Sequence, residues 1–244
     1  MSETFKAFRC GVQLSTQELS YSIFRQDPEA VQVKKEAVAV RNLTRIVDAT
    51  LRLANSKGFQ AMSLRDLSAQ TGLSMGALYA YIRSKEDLVS LIQQHGRLLV
   101  GGILRDRLAQ VRDPTQRLRV AIRTHLFLSE MMQPWFYFVY MEAKNLPERE
   151  RRQAVEAELS TEHLFHDIIT AGQRDGGFRD IDADLLAACL KAVLQDWYLK
   201  RAKYHRRQVS VDAYAAFAED IVLSYLAPSA SRTRPENRTV ADQS

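Results

Sequence analysis

Apolar residues recur three and four positions apart along most of the chain, and no stretch sustains the two-residue alternation of a half-buried strand. The pattern predicts an all-α protein. Ahead of Gly58, which stands where a chain leaves a helix, Leu43, Ile46, Val47, Leu51 and Ala54 share one helical face. Ser63 then reads as an N-cap with Asp66 three positions on, and Leu64, Leu67 and Ala69 are expected to turn inward before Gly72 breaks the element. Ser74 caps a third helix over roughly Met75 to Ile82, with Leu78 and Ile82 inward. Ser84 caps a fourth, with Glu86 and Asp87 in its first turn. Two short helices joined by a glycine-bearing turn and braced by a longer one make a helix-turn-helix.

Flanking this module, the pattern divides the chain further. Residues 1–40 form an N-terminal extension: Asp27-Pro28 reads as a helix start that carries Val33, Ala37 and Val40 into the next helix, so a helix is expected from near 28. Residues 1–26 support no assignment. The head spans 41–90 and a helical body 91–226, with helices starting at Pro114, Pro134 and Pro147 and a stop at the Gly176-Gly177 pair. Its last two helices are expected over Ala183–Tyr204 and Val211–Leu226. Residues 227–244 are polar and proline-bearing, a composition that predicts disorder.

Charge sharpens the division. The net charge is +5, and the window from Lys34 to Arg97, with ten basic and five acidic side chains, accounts for all of it. A basic head on a neutral body suits a polyanion partner. The two cysteines, Cys10 and Cys189, have no CxxC spacing, as expected of a reducing cytoplasm. No apolar run reaches the roughly 18 residues of a membrane span, and the first residues lack the order of a signal peptide, so a soluble cytoplasmic protein is expected.

The order Ser63, Leu64, Asp66, Leu67, then Gly72, Leu73, Ser74, Gly76, Leu78, Tyr79, and finally Ser84, Lys85, Glu86, Leu88 resembles the DNA-binding domain of the TetR family of bacterial transcriptional regulators. The likeness covers roughly Arg41 to Leu91. It implies a homodimer that binds a roughly palindromic operator and most often represses until a small molecule binds, with the last two helices pairing with their copies as a four-helix bundle. Met75, Gly76 and Ala77 would lie at the end of the recognition helix that enters a major groove, small enough for backbone to approach base edges. By resemblance Tyr79 and Lys85 match phosphate-holding positions and Tyr81 a DNA-facing one. Ser63 and Ser74 are caps whose hydroxyls are within reach of phosphates, and Lys34, Lys35 and Arg41 would project toward the DNA backbone or minor groove.

Within the body, Trp135, Phe136, Tyr137, Phe138, Tyr140 and Met141 are too many aromatic and apolar residues for one helix face. Trp135, Tyr137, Phe138 and Tyr140, with Phe165 and His166, are candidates to line a cavity for an apolar or aromatic effector. His125, Glu142, His163 and His166 are weak candidates for a metal, without HExxH spacing or cysteine support, and no metal or other cofactor is assigned. There is no GxSxG elbow and no glycine-rich phosphate loop, and Glu148, Glu150, Glu156 and Glu158 read as a solvated helix face, so no enzyme is expected. The competing reading is a DNA-binding helical protein without a ligand, controlled by a partner or acting architecturally.

Overall fold

The structure, a computed structural model, describes residues 3–143 and 148–228. Among them every regular element is a helix. The head is built from α3 (Glu36–Lys57), α4 (Leu64–Thr71), α5 (Met75–Tyr79) and the start of α6 (Lys85–Ala109). Its core is the predicted one, with Leu43, Ile46, Val47, Leu67 and Leu78 essentially inaccessible; Ala69, expected inward, is exposed. Helix α6 runs on for 25 residues and so belongs to head and body at once.

The extension departs most from expectation. Two helices, α1 (Phe5–Gly11) and α2 (Thr16–Gln26), precede the head, capped by Thr4 and Ser15. The α1 rings of Phe5 and Phe8 pack on Phe127 of α7 (Pro114–Met131) at 5.5 and 5.3 Å, and the Phe5 N–H donates to Asp212 Oδ1 at 2.8 Å. Helix α2 buries Leu19 and Ile23 against α3 and α6. No helix begins at Pro28. The chain turns there and runs without regular structure to Lys35, with the Gln32 N–H donating to the Ala80 carbonyl at 2.9 Å. Val31 and Val33, whose branched side chains disfavour helix, sit in this connector, and Val31 is buried.

In the body, α7 is the central helix, sequestering Leu118, Ile122, Leu126 and Phe127. Around it stand α8 (Gln133–Glu142), α9 (Glu148–Arg174), α10 (Ala183–Leu199) and α12 (Val211–Leu226). The segment read as one helix from Ala183 to Tyr204 breaks at Lys200, and α11 (Arg201–Arg206) follows. Asp196 gathers Lys200, Lys203 and the Tyr204 hydroxyl at that break. The expected start at Pro147 and the tail over 229–244 lie outside the described residues. No described helix is long and apolar enough to cross a membrane.

Candidate nucleic-acid interface and body cavity

Each turn of the head is fixed by local chemistry. Ser63 accepts from the Asp66 N–H while the Asp66 carboxylate accepts from Ser63, a complete capping box, and Lys57 pairs with the same carboxylate at 2.6 Å. Lys57 and Ser63 hold the Asp66 carboxyl well below the usual carboxylate range. Gly72 ends α4 at φ +66°, a conformation L side chains rarely adopt. Arg45 donates to the Thr71 carbonyl beside it, and the Ser68 hydroxyl to the Leu73 carbonyl at 2.6 Å. The turn between α4 and α5 is therefore braced from both sides.

Helix α5 is one short turn, with Ser74 accepting from the Ala77 N–H at 3.2 Å and Leu78 anchoring it from below. Ser74, Gly76 and Tyr79 are exposed, and Met75 and Ala77 partly so. A Cβ added at Gly76 would meet nothing within 4 Å, so the space above it is open. Arg41 is exposed on α3. The start of α5 thus presents a low, uncrowded surface.

Two expected DNA contacts fall elsewhere. The helix stops at Tyr79 rather than Ile82, which turns Tyr81 inward: it is 2% exposed and its hydroxyl accepts from Asn42 Nδ2 at 2.8 Å. Tyr81 is a core strut, not a DNA-facing residue. The Lys85 ammonium lies over the Phe59 ring and donates to the carbonyls of Phe59, Gln60 and Met62 at 3.1–3.2 Å. It ties the loop after α3 to the start of α6, so its charge is already engaged within the head.

The body contains a partly open cavity of about 490 Å³ between α6, α7, α8, α9 and α10. Trp135 and Tyr140 line it as expected, joined by Phe136, Val139 and Tyr198. Tyr137, Phe138, Phe165 and His166 do not. Phe138 and Phe165 are wholly buried in the core, and His166 faces Asp167, Thr170 and Asp184 near the surface. Glu158 lines the cavity instead of belonging to a solvated face, and accepts from Gln195 Nε2 at 2.6 Å.

Lys191 and Arg97 in the lining escaped sequence reasoning, and His125 was read only as a metal candidate. Lys191 and His125 are only 7% and 4% exposed, and Arg97 is half-buried. Burial pushes the His125 imidazole down to about 3, with Lys191 adding to the effect, so the ring is neutral. Burial also lowers Lys191, opposed by Glu158 and Glu162, and lowers Arg97. A lone lysine inside the apolar run ADLLAACLKAVL of α10 was the available signal.

The four weak metal candidates do not converge. His125 points into the cavity, His163 is exposed, and Glu142 accepts from the Phe59 N–H at 3.2 Å. Among the described residues no three His, Cys, Asp or Glu side chains are grouped for a metal. Glu142 has a different consequence: it joins α8 to the head. At the other end of α8 the Pro134 carbonyl accepts from Asn55 Nδ2 at 2.9 Å, and Trp135 Nε1 donates to the Ile92 carbonyl of α6 at 3.1 Å. The indole lies so close to Gly96 that a Cβ there would fall 2.2 Å from it. The aromatic wall of the cavity is therefore bonded to both long helices of the head.

A family model described as "Bacterial regulatory proteins, tetR family" matches residues 46–92, and one described as "Tetracyclin repressor-like, C-terminal domain" matches residues 111–219. The HTH-type transcriptional repressor KstR2 of Rhodococcus jostii is 29% identical over 187 residues, 75% of this chain and 90% of that protein. The HTH-type transcriptional regulator BetI of Rhizobium meliloti is 25% identical over 200 residues, 79% and 93% of the two. Among solved structures, a bacterial regulatory protein in the tetR family from Rhodococcus RHA1 superposes with a TM-score of 0.68 at 19% identity, over 78% of this chain and 99% of that one.

Proposed function

We propose, for a chain that belongs to the TetR family of DNA-binding transcriptional regulators and is not an enzyme, that it acts in the cytoplasm as a homodimeric, effector-released repressor of a palindromic operator. The observation that carries this reading is α8. One helix forms the aromatic wall of a cavity and is hydrogen-bonded to α3 and α6, the helices that carry the head. A molecule that displaces Trp135 or presses on Arg97, Leu98 and Leu104 acts directly on α6. Movement of α6 changes the separation of two recognition helices from the roughly 34 Å of one DNA turn. The effector needs only to prefer the non-binding arrangement.

The surface left outside the monomer supports the dimer. Leu185 and Val193 on α10 and Phe217, Ile221 and Tyr225 on α12 form two stripes that are 37–63% exposed, while Leu190, Leu194, Trp197, Tyr214 and Val222 of the same helices fill the core. The apolar residues of these two helices thus divide into an inner and an outer set. Two apolar helices presented side by side suit an isologous four-helix contact with a second copy. Cys189 lies in the α10 stripe between Leu185 and Val193 and would be covered in it.

On the DNA side, Met75, Gly76 and Ala77 approach base edges in this reading, and Tyr79, Ser63, Ser74 and Arg41 meet the backbone. Selection of genomic fragments by the purified protein at near-physiological salt tests it. A palindromic site is the expected result. Salt-sensitive binding without a motif would instead favour a ligand-independent architectural protein.

A further inference from the structure

The cavity carries a charge pattern that neither an apolar nor an aromatic effector explains. Among the described residues Arg97, Arg105 and Lys191 line it against the single carboxylate of Glu158. Among the described residues no hydrogen bond or ion pair reaches the Lys191 ammonium, and Arg97 Nη1 and His125 Nε2 are buried without a partner. A buried cation that lacks a partner is costly, and an aliphatic residue of similar length would fill the same space without that cost. Such a group is stabilised when something else brings the opposite charge to it. The opposing wall is apolar: Trp135, Phe136, Leu104 and Val139.

Resting on the effector reading above, we infer that the occupant of this cavity is an amphipathic organic anion, its carboxylate or phosphate group among Lys191, His125 and Arg97 and its apolar part against Trp135, Phe136 and Leu104. The neutral His125 donates one N–H to that group while Lys191 and Arg97 supply the charge. Glu158, with Gln195 on one oxygen, and Glu162 oppose the lowering that burial imposes on Lys191 without forming a close pair with it. The rings of Trp135, Phe136, Tyr140 and Tyr198 would also suit a quaternary ammonium through cation–π contacts. The three cations facing them repel such a ligand.

Calorimetric titration of the full chain with decanoate, decyl phosphate, decan-1-ol and decyltrimethylammonium, which share a tail and differ in the head group, decides between these. At least one of the two anions should bind roughly tenfold tighter than the alcohol, with the ammonium weakest. The tighter anion identifies which head group the site takes. Lys191→Met should abolish the advantage of the anion and leave the affinity for decanol unchanged; Arg97→Met should do the same to a smaller degree and serves if the first variant does not fold. The inference is overturned if decanol or the ammonium binds as tightly as both anions, if neither anion binds up to about 1 mM, or if the folded variants keep the advantage of the anion.

Operator binding measured alongside separates the two readings. If the ammonium probe binds and releases the operator while the anions do not, the cavity is still the effector site and only its anion selectivity falls. If the anions bind as expected with operator occupancy unchanged, the selectivity stands and the effector reading falls.

Discussion

Around α5 the cations stand in solvent, as Arg41 does, or are tied to backbone carbonyls, as Lys85 and Arg45 are; around the cavity Lys191 is buried without a close partner and Arg97 is half-buried. The two surfaces also differ in bulk. The recognition face is built from Ser74, Met75, Gly76 and Ala77 over one buried leucine, whereas the α8 wall of the cavity is built from Trp135, Phe136, Val139 and Tyr140. The first surface needs no ligand to satisfy it, because Ser74 caps the helix and the residues around it are open to solvent. The second leaves Arg97 and His125 with unmet hydrogen-bonding capacity in low dielectric. One surface is built to approach a large polyanion from outside, and the other to enclose something small.

The sharpest way to break that contrast is to cut the link between them. Trp135→Ala removes a 4% exposed indole and its bond to the Ile92 carbonyl, and should cost about 3–5 kcal/mol in denaturant unfolding. Operator binding by the surviving folded fraction should no longer respond to cavity ligands. A loss under about 1 kcal/mol would mean that the indole is not packed between α8 and α6. Next in size is the outer face of the body. Phe217→Asp with Ile221→Asp places charge on side chains that are 63% and 48% exposed, so the fold should persist. The variant should sediment as a monomer and bind its operator roughly a hundredfold more weakly, because the second half-site contact is no longer intramolecular. Sedimentation identical to the parent protein would show that another surface joins the copies.

What the chain disclosed beforehand follows the same division. The head was legible because its signals are local: Ser63, Ser74 and Ser84 each accept from the N–H three residues on, and Gly72 takes the positive φ that ends α4. Its errors came where a tertiary partner decided. Tyr81 turned inward, where Asn42, 39 residues earlier, donates to its hydroxyl, and Lys85 found carbonyls 23–26 residues away. The extension was opaque for a related reason: Phe5, Phe8 and Leu19 find their partners on α7, α3 and α6, and no periodicity within 26 residues encodes that. In the cavity, the density of aromatics marked the right helix but not its face. Trp135, Phe136 and Tyr140 turned in, and Phe138 went to the core.

The buried side of the comparison has a pH signature of smaller size. His125 is neutral in the folded protein, its imidazole pushed down to about 3 from an ordinary 6.5. Below about pH 6.5 the unfolded chain takes up a proton that the folded one refuses. Stability therefore falls as pH drops through that window, by up to about 1.4 kcal/mol per pH unit from this residue. Chemical denaturation at pH 7 and pH 5 should show His125→Gln losing less stability than the parent, by as much as about 2 kcal/mol. An equal loss in both would mean that the ring is hydrated or paired with an acid in the folded state.

The smallest effect concerns the head and tests whether its cations do separate jobs. Lys85 holds three carbonyls of the loop after α3 and is half-buried, so Lys85→Ala should lower stability by about 1–2 kcal/mol. With its ammonium already committed, it should leave the dependence of operator affinity on salt nearly unchanged. Arg41 is exposed and makes no contact that the fold requires, so Arg41→Ala should leave the melting temperature in place and reduce the salt slope by about one counterion. The reverse pattern, with Lys85→Ala flattening the salt slope at constant stability, would mean that the lysine leaves its carbonyls to meet a phosphate. The loop between α3 and α4, gripped from the other side by Glu142 of α8, would then be loosened each time the protein binds DNA, and the head would be signalling to the cavity wall by the same path along which the cavity signals to the head.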